Sequence, residues 1–152
     1  MMFLMILATA ALAQVAPAQP AGPAIWTHDV PVAHGGGQAI ARYSALPEIN
    51  TRQVGMAAGA RMSTVRCDWT ADIGVERRLA YPGKASTGAR KLAAMKTLKG
   101  SRPGDCTINR RSIDRDIAAQ ADAINAHLVA VAEQDQRELR AEIETLAPPT
   151  GR

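Results

Sequence analysis

The stretch Thr64-Val65-Arg66-Cys67-Asp68-Trp69-Thr70-Ala71-Asp72-Ile73-Gly74-Val75 decides how this chain folds. Val65, Cys67, Trp69, Ala71, Ile73 and Val75 are apolar, whereas Thr64, Arg66, Asp68, Thr70 and Asp72 between them are polar. Successive side chains of a strand point to opposite faces, so this alternation predicts β-structure with one buried and one wet face. Cys67 and Trp69 share the buried face, where tryptophan serves as a core block. Asp68 and Asp72 project into water and lack the burial that tunes a catalytic acid.

Working outward, residues 38–44 read as a short strand, with Ala39, Ala41 and Tyr43 on one face and Ile40 and Arg42 on the other. Pro47 is expected to end it, and residues 48–61 carry no decisive pattern. Residues 14–37 are rich in Pro, Ala and Gly and read as a flexible linker. Trp26, Val30 and Val32 could add a strand there, restricted by Pro31 to a sheet edge. On the other side, Tyr81-Pro82-Gly83 turns the chain. Leu92, Met95 and Leu98 stand at helical spacing and predict a short basic helix over residues 90–99, capped by Ser86 or Thr87 and stopped by Gly100. Ser112 is expected to cap a long C-terminal helix. Its apolar stripe runs through Ile113, Ile117, Ile124, Leu128, Val131, Leu139 and Ile143 to Leu146, before Pro148-Pro149. A continuous helix of that length would measure ~50 Å, against a domain diameter of ~26 Å. It therefore either protrudes or bends near residues 133–136, where Asp135 interrupts the stripe. The expected fold is α+β: an antiparallel sheet of two to four strands, the short basic helix and the long C-terminal helix. It forms a single domain over residues 38–147, followed by a tail at 148–152.

The N-terminus points to export. Phe3, Leu4, Met5, Ile6, Leu7, Ala8, Ala10, Ala11 and Leu12 form an apolar run broken only by Thr9. Such a run is too short to span a bilayer, which takes ~20 residues, but it has the length of a signal-peptide core. Ala11-Leu12-Ala13 supplies the small residues of a cleavage site, so residues 1–13 are expected to be removed near Ala13. No Lys or Arg precedes the run. The mature protein would be periplasmic or secreted, without a transmembrane span. The chain has two cysteines, Cys67 and Cys106. In an oxidising compartment an isolated pair is expected to form a disulfide. With one Phe, two Tyr and two Trp in the chain, the core relies on aliphatic and alanine packing, so a covalent staple matters.

Known chemical motifs find little here. Gly83-Lys84-Ala85-Ser86-Thr87-Gly88 lacks the glycine spacing and the Ser or Thr after Lys that a phosphate loop needs. His28, Asp29 and His34 lie in a loop-like segment without the rigid frame of a metal site, and no Ser stands in a nucleophile elbow. No catalytic residue, metal or cofactor is expected. Charge is more informative. Lys84, Arg90, Lys91, Lys96, Lys99, Arg102, Arg110 and Arg111 against Asp105 alone give residues 84–111 a net +7, and residues 112–146 carry a net −5. The basic segment suggests a site for an anionic polymer or lipid headgroup. Nucleic acid does not fit, because aromatic interleaving is absent. The leading expectation is a non-catalytic envelope protein. It would contact a homodimer mate or another envelope protein through Ile117, Ile124, Leu128, Val131, Leu139 and Ile143.

Overall fold

The computed structural model describes residues 25–34, 37–56, 64–83 and 86–146; the expected signal peptide, Lys84 and the tail lie outside them. Four antiparallel strands form one sheet in chain order: β1 (Trp26–His34), β2 (Gly37–Val54), β3 (Arg66–Ala80) and β4 (Arg90–Pro103). Two helices follow, α1 (Cys106–Ala118) and α2 (Ala121–Leu146), and cover one face of the sheet. On β3 the alternation holds throughout: Cys67, Trp69, Ala71, Ile73, Val75, Arg77 and Leu79 are all buried. On β2 the buried set is Ala39, Ala41, Tyr43 and Ala45. The small alanines leave room for Ile124, Leu128, Val131, Leu139 and Ile143 of α2 to join the same core.

Three expectations are corrected. First, part of the segment read as linker is strand β1, which pairs from Trp26 with Ala45 to His34 with Gly37. β1 is an edge strand, the one place where Pro31 is tolerated. Second, β2 does not stop at Pro47 but runs to Val54. Alternate residues of an antiparallel strand turn their backbone groups to opposite sides. Beyond Ala45, β2 is paired only with β3, so Pro47 fits with its donorless nitrogen on the unpaired side. Pro31, opposite Ile40, obeys the same phase. Third, residues 90–103 form β4 rather than a basic helix. The apolar spacing at 92, 95 and 98 competes with a period of two through Leu92, Ala94, Leu98 and Gly100. Tertiary pairing with β3 selects the second and leaves Met95 exposed. Gly100 is not a helix stop. It lies opposite Trp69, and a Cβ there would fall 2.5 Å from the indole Cζ2.

The helical region also differs from expectation. Asp105, not Ser112, caps α1, its carboxylate accepting from the Thr107 amide at 2.6 Å. The disulfide Cys67–Cys106, with 4.8 Å between Cα atoms, fastens the first turn of α1 to β3. The chain breaks at Ala119 and Gln120, not at residues 133–136. From there α2 runs 26 residues without interruption, about 39 Å at 1.5 Å per residue.

Candidate functional site

Two parts of the molecule gather polar chemistry: an ionic cluster between the sheet and α2, and the grooves that flank the helix layer. The cluster is built on Arg77, which stands on the buried face of β3 and is 1% exposed. Its guanidinium donates to Asp135 Oδ2 at 2.5 Å and to Glu142. Tyr43, its cross-strand neighbour, donates to the same Asp135 oxygen at 2.9 Å. Arg90, its neighbour on β4, reaches Glu138 at 2.9 Å and Glu142 at 3.2 Å. Burial opposes the charge on Arg77, but the bond and charge of Asp135 outweigh it and hold the guanidinium above its usual pKa. Burial first, then the bond to Asp135, raises the Tyr43 phenol. The cluster is satisfied internally: each buried charge has a partner of opposite sign. It joins α2 to three strands.

The basic segment is dispersed by the geometry of β4. Alternation sends Lys91 and Lys99 to the open face of the sheet, and Arg90, Lys96 and Arg102 to the helix side. Arg90 is spent on the cluster and Arg102 on Asp116, whose carboxyl this contact holds below its usual range. Arg110 and Arg111 are exposed on α1. These residues do not converge on a single basic face. The partner residues expected on the C-terminal helix are no freer: Ile117, Ile124, Leu128, Val131, Leu139 and Ile143 are each 4% exposed or less. Their stripe is consumed by the chain's own core, on α1 and α2 either side of the break at Ala119 and Gln120.

Other candidates stand apart. His28 faces the helix side of β1, whereas Asp29 faces away and pairs bidentately with Arg42 at 2.8 and 2.7 Å. Asp68 accepts from Ser101 at 2.8 Å and Asp72 from Thr97 at 2.6 Å, so both are held by neighbouring side chains on the open face. Among the described residues, no group of three or more His, Cys, Asp or Glu is placed to hold a metal. Among the described residues, no helix is long and apolar enough to cross a membrane.

Among the grooves lined by described residues, two border the helix layer. One, about 350 Å³, lies between edge strand β1 and the C-terminal half of α2, with Val30, Val32, Leu139 and Ile143 beside Gln136, Arg140 and Glu144. The other, about 240 Å³, lies between β2 and α1. Neither was visible in the sequence, since each needs the register of a strand against a helix. Comparison of the chain with protein-family models, curated proteins and solved structures finds no match.

Proposed function

We propose that this chain is an exported, non-catalytic protein of the cell envelope, removed from its signal peptide near Ala13, which holds a partner protein along α2. The groove between β1 and α2 carries the reading. It sets the polar flank Gln136, Arg140 and Glu144 beside Val30 and Val32, giving an apolar strip with charges of both signs at its border, the composition of a protein-binding surface. The disulfide supports the exported compartment. The contact uses the outer flank of α2 in place of its buried stripe.

The test is photo-cross-linking in living cells from Gln136 and Arg140. One envelope protein, or the chain itself, is expected to be captured recurrently from both positions and lost in the Val32→Lys variant. Capture that survives Val32→Lys, or no capture, contradicts the reading. In that case salt-sensitive binding of an anionic polymer through Lys91 and Lys99 becomes the reading to pursue.

A further inference from the structure

The geometry points to a second binding site of a different kind: we propose that the unpaired margin of β2, from Ile49 to Gln53, accepts an extended peptide as an added strand. β1 covers β2 only as far as Ala45. Among the described residues, nothing pairs with residues 46–54 on that side. If Pro47 points its nitrogen outward, the N–H and C=O groups of Ile49, Thr51 and Gln53 point the same way. That leaves three successive donors and acceptors in line. The other two margins are guarded. On β1 the same phase puts Pro31 in the middle of the outward row. β4 carries Lys91, Lys96 and Lys99, the residues by which sheets discourage pairing at an edge. The Ile49–Gln53 stretch has one charge, Arg52, and its side chain lies on the open face of the sheet.

The neighbouring groove says what such a strand would carry. Ile49, Thr51, Cys106 and Ile113 line it, with Arg110 and Asp114 at its border. A strand laid against β2 would turn every second side chain toward this groove. The fitting occupant is a short extended peptide with apolar side chains at alternate positions and a carboxylate for Arg110. Main-chain bonds would supply affinity and the groove selectivity. Pro17, Pro20 and Pro23 precede β1 in the sequence. Each lacks a donor, which makes the chain's own upstream segment a poor strand for this margin. The site shares no residue with the β1–α2 groove, so either can fail alone.

The experiment selects peptides from a display library of random nine-residue sequences against the full chain with its disulfide intact. Enriched peptides are expected to alternate apolar and polar residues. They are also expected to slow amide exchange at Ile49, Thr51 and Gln53 by at least tenfold. Thr51→Pro, which removes one outward donor on the margin where β2 already carries Pro47, is expected to weaken binding at least tenfold, and Arg110→Glu at least threefold. If Thr51→Pro does not fold, peptides methylated at alternate amides carry the same test. Three results overturn the proposal: no enrichment, binding indifferent to the proline or methylation, or amides already slow in the protein alone. The last would mean that the chain fills its own margin.

Discussion

Arg77 occupies a position on β3 where its neighbours on the same face, Val75 and Leu79, are fully buried and apolar. Removing one member of a buried ion pair strands the other charge, at a cost of about 3–5 kcal/mol, whereas replacing both with apolar residues is often neutral. Arg77→Met is therefore expected to lower stability by about that amount, and Arg77→Met with Asp135→Leu and Tyr43→Phe, which removes the hydroxyl that Asp135 would otherwise leave unpaired, to recover most of it, as read from urea unfolding. Gly100 makes a different demand. Gly100→Ala drives a methyl into the indole of Trp69 and is expected to cost about 1–3 kcal/mol, the usual range for overpacking. The penalty should shrink in a Trp69→Phe background, which a double-mutant cycle detects. His127 supplies a pH dependence. Its Nε2 is buried without a hydrogen bond among the described residues, and burial, then the charge of Lys96, lowers its pKa from 6.5. The unfolded chain then takes up a proton more readily than the folded one. The neutral histidine's contribution is complete above pH 6.5 and declines as pH falls below it. His127→Gln is expected to flatten the fall in urea midpoint between pH 7.5 and 5.5 relative to the unchanged protein.

At the scale of elements, β3 was readable because its alternation is unbroken and its buried face holds tryptophan and branched residues. The same alternation reaches Arg77, but a charged residue there reads as a polar continuation until a partner is known. That partner, Asp135, was visible only as a gap in the stripe of α2. Each interruption becomes intelligible once both face the same core. β4 was misread because its apolar residues satisfy two periods at once; the choice between them is made by pairing with β3, a long-range contact that local spacing does not encode. The helix start shows the same limit in miniature. Asp105 and Ser112 are both competent caps, and Asp105 takes the role, one residue before the disulfide at Cys106. That tie closes a loop with 38 residues between its cysteines, worth about 4 kcal/mol in the chain-entropy model. The Cys67→Ala, Cys106→Ala double variant is expected to lose stability of that order, seen as a lower Tm, while keeping α2 on the sheet.

At the scale of the molecule, a core poor in aromatic residues is completed by the disulfide at one end of the helix layer and by the Arg77 cluster further along α2. Both devices hold the helix layer against one face of the sheet. The disulfide is compatible with a compartment outside the cytoplasm, and export is the claim on which the proposed function depends. The most direct test is the intact mass of the protein recovered from outside the cytoplasm with free thiols blocked during lysis. Export predicts a chain beginning at Gln14, two hydrogens lighter than its reduced mass and carrying no blocking group. A chain retaining residues 1–13, held inside the cell with both cysteines blocked, would contradict it.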